Sequence, residues 1–388
     1  MSSMGRIRET AERRAAARVS LSAVPASPLA RAVIRPAAEA VEALAGEWTA
    51  LAAEASEPNA FAEHWFVAAA LRTLPAGRAI SMIEARRGGR LIGLLPFEIV
   101  RGYARLPVLV VQNWCHDHGF LGTPLVAAGE EEAFWAAALD ALDAADLPAN
   151  LVHLWRMVEG GPVARAFGGA IVHRRIRAFL ESRLTPAAYY EQAVRQKKRK
   201  ELRRLRNRLA DLGKVEARIL DDRAALEGWC DSFLALEKAG WKGAEGTALA
   251  CAPETEAFFR EALAAAWDQG RLQFRRLDVE GRPVAMLVNF LCPPGSFSFK
   301  TAFDEGFAHY SPGVLLQIEN LDLLDRPDIA WMDSCAAQDH PMIDSLWTER
   351  RSIVRCTVPL KGWKRRTIWA LCRALELASA RLRRGTDV

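Results

Sequence analysis

Residues 272–279, 283–291 and 296–302 are three strand-length apolar stretches separated only by short turns that contain Gly281 and Gly295. Strands spaced this closely pair as an antiparallel meander. A strand at 215–220 and helices at 223–238 and 253–269 precede the meander. A helix at 312–324, a strand at 329–333, a short helix at 342–349 and a strand at 352–359 follow it. A basic helix over 186–212 opens this half, and an amphipathic helix over 363–384 closes it.

The first half repeats the later part of that order. Strands at 79–85, 91–100 and 107–112 precede a helix at 130–144, a strand at 151–157, a helix at 161–167 and a strand at 171–179. Helical spacing also marks 41–53 and 64–71. The letters repeat too. Gly89-Arg90-Leu91-Ile92-Gly93 parallels Gly281-Arg282-Pro283-Val284-Ala285, and Thr123-Pro124-Leu125-Val126 echoes Ser311-Pro312-Gly313-Val314. Shared order and shared letters together read as an internal duplication.

A length of 388 residues suits two domains. With 51% hydrophobic and 26% charged residues, the chain holds enough apolar material for two cores. No charge-free apolar run approaches the roughly 20 residues of a membrane span. The seven cysteines are odd in number, scattered and free of CxxC, which argues against a disulfide framework or structural zinc and fits a reducing cytoplasm. Cys115-His116-Asp117-His118 looks like a metal cluster, but four consecutive ligands cannot all reach one ion, so a polar loop is expected and no metal. The net charge of +5 demands no nucleic-acid partner. It is concentrated in Arg195, Lys197, Lys198, Arg199, Lys200, Arg203, Arg204, Arg206 and Arg208, with Leu202, Leu205, Leu209 and Leu212 on one stripe. The stripe packs and the cations face water or a polyanion. The absence of interleaved aromatics argues against single-strand readout.

The ordered set Gly281 to Ala285, Phe299-Lys300-Thr301-Ala302-Phe303-Asp304-Glu305, Tyr310-Ser311-Pro312-Gly313-Val314, Gly240-Trp241-Lys242-Gly243 and Asp333-Ser334-Cys335 with Asp339-His340-Pro341-Met342 resembles the GNAT superfamily. Within it, the chain looks like the branch of cellulose-biosynthesis-associated CelD/BcsL acetyltransferase-like proteins. Its double layout also resembles the FemABX peptidyltransferases, which take aminoacyl-tRNA. The implied fold is α/β (α+β), with two tandem GNAT-like domains, each a mixed, mostly antiparallel sheet flanked by helices. The expected division is a flexible arm at 1–35, a degenerate GNAT-like domain at 36–180, a working GNAT domain at 181–362 and a basic amphipathic helix at 363–388.

The resemblance implies an acyltransferase using acyl-CoA, acetyl-CoA first of all, on an amine or hydroxyl of a small-molecule or saccharide acceptor. Its setting would be the cytoplasm, in cellulose or envelope metabolism, docked on a peripheral membrane or polysaccharide-synthesis complex. The alternatives are an aminoacyl-tRNA-dependent transferase and a non-catalytic accessory protein of polysaccharide biosynthesis. Ser311-Pro312 opens a helix whose unpaired N–H groups suit a pyrophosphate. Tyr310, Ser311, Pro312, Gly313, Val314 and Lys300 are therefore the expected donor-binding set. In ordinary family members an Arg/Gln-x-x-Gly-x-Gly/Ala run fills this place, and here it reads His309-Tyr310-Ser311-Pro312-Gly313. Asp333, at a strand end, and Asp304 are the expected catalytic carboxylates, with Glu305, His309 and His340 as further candidates for a base. Trp241 and Lys242 are expected to flank the acceptor. Cys335 is expected to be buried and structural.

Overall fold

The structure is a computed structural model that describes residues 29–75, 77–104 and 106–385, with no side chain beyond 378. The first half contains β1 (Ala30–Pro36), α1 (Ala37–Ala43), α2 (Ala45–Ala53), α3 (His64–Thr73), β2 (Ser81–Arg87), β3 (Arg90–Tyr103), β4 (Leu106–Asn113), β5 (Leu125–Val126), α4 (Glu131–Ala144), β6 (Leu151–Val158), α5 (Pro162–Phe167) and β7 (Ala170–Glu181). The second half contains α6 (Pro186–Ala193), α7 (Gln196–Ala210), β8 (Val215–Ile219), α8 (Leu226–Ala239), the single turn α9 (Trp241–Ala244) and α10 (Pro253–Asp268). It continues with β9 (Leu272–Val279), β10 (Arg282–Cys292), β11 (Gly295–Phe303), α11 (Pro312–Glu319), β12 (Trp331–Asp333), β13 (Glu349–Pro359) and α12 (Trp363–Gly385).

The strands form one 13-stranded sheet in the order β1-β2-β3-β4-β6-β13-β7-β12-β11-β10-β9-β8, with β5 paired to β3. The meander at β9–β11 is antiparallel, as its short turns require. At the centre the halves trade strands. β13 belongs to the second half but lies beside β6 of the first, pairing Val358 with Val152. β7 belongs to the first half but lies beside β12 of the second, pairing Leu180 with Met332. β7 and β13 also pair with each other from Glu349↔Phe179 to Thr357↔Ala170. Each half of the sheet is therefore completed by a strand from the other half of the chain.

Helices cover both faces. Leu202, Leu205 and Leu209 of α7 are buried as the apolar stripe predicts, Leu212 lies beyond the helix end and is exposed, and the basic positions along the helix are mostly exposed. On the opposite face α8 and α10 cover β9–β11, and α3 of the first half joins them there. Phe61, Trp65 and Phe66 pack into the same core as Phe290, Phe297 and Phe299. Each such side chain, fully buried, contributes roughly 1.5–3 kcal/mol.

Several expectations change. Residues 30–35 are strand, not arm, and pair with β2 from Ala30↔Arg87 to Arg35↔Met82. Residues 1–28 of the expected arm lie outside the described residues. With β1 and α1–α3 in place, the first half has the complete element order and not only its later part. The helix expected over 186–212 breaks at Val194, which adopts an extended conformation and is buried. The helix expected over 312–324 ends at Glu319 and tightens into a 3-10 segment, Asn320–Asp325. There Asn320 turns inward and its amide oxygen accepts from Asn289 Nδ2 at 2.6 Å. Residues 342–346 form turns and 347–348 are irregular instead of a helix, because Ile343, Leu346 and Trp347 are all drawn into the core beside α11.

Candidate functional site

In both halves the sheet opens at a parallel pair. β11 and β12 share three rungs, Gly295↔Trp331, Ser296↔Met332 and Phe297↔Asp333. β11 then continues to Phe303, while the chain after Asp333 turns onto β7, where Ser334 N–H donates to Ala178 O at 3.3 Å. The first half opens likewise beyond Gln112↔His153 of β4 and β6, but its own side chains close that gap. Asn113 Nδ2 donates to Gly122 O at 2.8 Å and Trp155 O at 2.9 Å, and Asn113 Oδ1 accepts from Trp155 N–H at 2.7 Å. A Cβ on Gly122 would lie 2.1 Å from Trp155 O, so the backbones are in close contact there, and the space that remains beside them, ≈ 250 Å³, is lined by Asn59, Asn113 and Trp114 without a charged group. The corresponding cleft of the second half is lined by Glu237, Lys242 and Glu305, and it is the candidate site.

A bulge shapes the open end of β11. Val288 faces Lys300 but Asn289 faces Ser298, which leaves Phe299 unpaired. Lys300 Nζ lies 5.7 Å from the Phe299 ring centre and 5.9 Å from that of Phe120. Burial, opposed by Glu237 and reinforced by Lys242, lowers the Lys300 ammonium to about 8. Above it, the loop from the first half brings His116 and His118. His116 stacks on Phe66 and His118 on Phe258, each with ring centres 5.4 Å apart. Burial and the neighbouring cations bring His116 down to about 3 and His118 to about 4, so both are neutral at physiological pH.

Glu237 comes from α8. Its side chain is only 2% exposed, and Oε1 accepts from Lys242 Nζ at 2.8 Å. Oε2 accepts from Leu249 N–H, also at 2.8 Å. Glu305 Oε1 accepts from Trp241 N–H at 2.6 Å. Glu237, Gly240, Trp241 and Lys242 face Thr301, Ala302, Phe303 and Glu305 across a cleft of ≈ 260 Å³. Trp241 stands at its rim, 54% exposed. The expected acceptor residues Trp241 and Lys242 thus meet the end of β11 that carries Lys300.

The expected catalytic carboxylates sit elsewhere. Asp333 is fully buried and its carboxylate accepts from Arg177 Nη2 at 2.7 Å, Arg351 Nη1 at 3.0 Å and Cys335 N–H at 3.0 Å. Burial raises its pKa, but the two guanidiniums outweigh burial and hold it below the usual carboxylate range. A carboxylate held this way is a weak base with no free face, and its place is to tie β12 to β7 and β13. Asp304 accepts from Gly306 N–H at 2.9 Å and pairs with Arg282, outside the cleft. His340 O accepts from Asp344 N–H in the turns before β13.

The expected phosphate loop is packed over. Ser311 takes a left-handed conformation at φ 53°, and the N–H groups of Val314 and Leu315 both return to Ser311 O, at 3.0 and 3.1 Å. Tyr310, Pro312, Gly313 and Val314 are buried. A Cβ on Gly313 would lie 2.9 Å from Met342 Cε. The pyrophosphate of a CoA ester does not fit this loop as it stands, because the Val314 and Leu315 amides are bonded to Ser311 O and Met342 packs over Gly313. Among the described residues, no His, Cys, Asp and Glu cluster could hold a metal ion.

Glu237 is not among the residues expected from the sequence, and His116 and His118 enter there only as part of a metal-like run read as a polar loop. Glu237 carried a readable signal: it continues the buried face of Leu226, Trp229, Cys230, Phe233 and Leu234, where a carboxylate needs a partner.

The sequence profile of the acetyltransferase (GNAT) domain family matches residues 196–340. No curated protein matches. Among solved structures, FemX is 12% identical, with 86% of this chain and 92% of that chain covered at a TM-score of 0.52. A conserved protein of unknown function from Bacteroides thetaiotaomicron is 11% identical over 82% of this chain and 97% of that one, at a TM-score of 0.50. A tandem GNAT protein from the clavulanic acid biosynthesis pathway, solved without AcCoA, is 18% identical over 86% and 99%, at a TM-score of 0.43. The fold is a mixed α/β tandem of two GNAT-like units.

Proposed function

We propose that this chain is an acyltransferase whose working site is the cleft at the open end of β11. The observation that carries this reading is the half-buried Lys300, near enough to Glu237 to feel its charge, on β11 beyond its pairing with β12. In acyl transfer an amine or hydroxyl of the acceptor bonds to the acyl carbon, negative charge builds on the carbonyl oxygen, the bond to the donor breaks and the acceptor's proton departs. An ammonium in a low-dielectric cleft stabilises such an oxyanion more than one in water does. Lys300 fills that role while protonated. Glu237 is the carboxylate that lines the cleft, and it takes the acceptor's proton on Oε1 once Lys242 Nζ moves off that oxygen. Trp241 offers a flat apolar surface to an acceptor such as a saccharide ring.

The donor in this reading is an acyl-CoA, and it supplies the acyl group when bound. For its pantetheine arm to lie beside Phe303, the Met342 side chain has to swing off Gly313. The acceptor setting expected from the resemblance, cellulose or envelope polysaccharide, is part of the same proposal, as is docking on a membrane-associated complex. No helix among the described residues is long and apolar enough to cross a membrane.

The test is release of free CoA thiol from acetyl-CoA and longer acyl-CoAs across a panel of amine and hydroxyl acceptors, with Lys300→Met and Glu237→Gln alongside. Saturable turnover that both variants reduce supports the reading. Turnover unchanged in both variants, or no saturable binding of any acyl-CoA, overturns it.

A second reading keeps the fold and takes aminoacyl-tRNA as donor. It is favoured by the exposed cations of α7, among them Lys197, Lys200, Arg203 and Arg206. Product formed from charged tRNA but from no acyl-CoA would select it.

A further inference from the structure

The strand exchange has a second result, on the other side of Phe120 from Lys300. β6, β13 and β7 run side by side, and each carries arginine here: Arg156 on β6, Arg355 on β13, and Arg175 and Arg177 on β7. Phe120, Arg156, Arg175, Arg177, Ile353 and Gln338 line a cavity with ≈ 650 Å³ of empty space. The register of β13 shifts between Val354 and Cys356 against β6, so Arg355 sits at the irregularity, its guanidinium 3.7 Å from the centre of the Trp155 ring.

The charges do not cancel. Arg177 is matched by Asp333, and Arg174 next door by Glu159. Among the described residues, no carboxylate forms an ion pair with Arg156, Arg175 or Arg355. The last is partly desolvated, and Arg175 and Arg156 both act on it as like charges. Arg156 is fixed in place, since its Nη1 donates to His116 O at 3.1 Å and also to Gly119 O. Folding thus gathers like charges around a hollow from strands far apart in sequence. Such repulsion is unfavourable to the empty protein and is relieved when an anion enters.

We infer that the cavity lined by Arg156, Arg175 and Arg177 is a binding site for an oxyanion, a phosphate or pyrophosphate group carried on a small molecule whose apolar part lies against Phe120 and Ile353. Guanidinium forks suit phosphate oxygens in bidentate geometry, and Gln338 adds a neutral donor. The inference stands without the acyl-transfer reading. If that reading also holds, Phe120 is the shared wall between the two sites, and the phosphorylated group belongs either to the acceptor or to the CoA donor.

Titration calorimetry of the full chain with inorganic pyrophosphate tests the site. Saturable binding is expected, and it should weaken by about tenfold in Arg175→Gln and further in Arg175→Gln/Arg156→Gln. Arg72→Gln, an exposed arginine far from the cavity, is the control and should bind as the parent does. Arg175 is exposed, so its single variant is expected to fold, and circular dichroism checks the double variant. Absence of saturable pyrophosphate binding, or binding equal in the parent and Arg175→Gln, overturns the inference. Competition then names the source. Displacement of pyrophosphate by CoA assigns the cavity to the donor, and persistence of pyrophosphate binding in saturating CoA assigns it to a phosphorylated acceptor.

Discussion

The guanidinium of Arg177 grips the carboxylate of Asp333 through two contacts of 2.7 Å, Nε to Oδ1 and Nη2 to Oδ2. Arg177 arrives on β7 from the first half and Asp333 ends β12 of the second, so this pair holds the exchanged strands in register. Arg351 on β13 completes it, lying 4.1 Å over the Phe179 ring and 4.3 Å over that of Trp331.

Replacing Asp333 by Asn leaves two buried guanidiniums without a counter-charge. The expected loss is about 3–5 kcal/mol of stability, read from urea denaturation. A loss confined to activity, with an unchanged midpoint, would contradict this account. The pH dependence has a definite sign. The folded pKa of Asp333 lies below its unfolded value, so its contribution is complete above the unfolded value and disappears as pH falls through the folded one. Asp333→Asn should therefore flatten the acid limb of the stability profile.

Lys300 has the opposite bearing on stability. Its folded pKa of about 8 lies below the ordinary 10.5, so between those values the unfolded chain binds the proton and the folded chain does not. Stability attributable to this group rises with pH across that window. Lys300→Met should be more stable than the parent at neutral pH by roughly 1–3 kcal/mol, and the advantage should shrink from pH 8 to 10.5. In the same variant, transfer should fall by about 10²–10³-fold in kcat. The parent's rate should decline as pH rises through about 8.

Glu237→Gln preserves the size of the side chain and its bond to Leu249 N–H, yet removes the proton acceptor facing the cleft. The expected result is a drop of about 10²-fold in kcat, with a lowered thermal midpoint because Lys242 loses its counter-charge. If kcat survives and only the acceptor KM rises, Glu237 positions substrate instead.

Gly122→Ala probes the closed split of the first half. The new methyl would meet Trp155 O, so about 1–3 kcal/mol of stability should be lost, seen in thermal denaturation. Survival of the parent midpoint would mean that the gap has room after all.

Ending the chain at Thr348 removes β13 and bares the facing edges of β6 and β7. The first half should then fail to fold as well as the second, with the product insoluble or rapidly proteolysed. A soluble fragment with native α4 and β6 protection in hydrogen exchange would refute this.

The sequence reveals most where structure is local. The meander at 272–303 is legible nearly to the residue, because period-two apolar runs between Gly turns leave little choice. The Leu202–Leu205–Leu209 stripe is legible for the same reason. The break at Val194 is not, since nothing in Ala193-Val194-Arg195 opposes a helix; burial of Val194 decides it. Nor is the exchange of β7 and β13, because alternation says which face a strand buries and not which strand it lies beside. The site suffers most. Lys300, Glu237 and His118 lie on three segments far apart in sequence, and only the fold makes them neighbours.

Because β7 and β13 cross between the halves, the molecule has no seam along which the two units could swing apart without tearing backbone ladders. A bilobed protein usually admits its substrates by hinge bending. Here entry to the Lys300 cleft and to the arginine cavity has to be governed locally, by side chains such as Met342, Phe120 and Trp241 changing rotamer on a rigid frame.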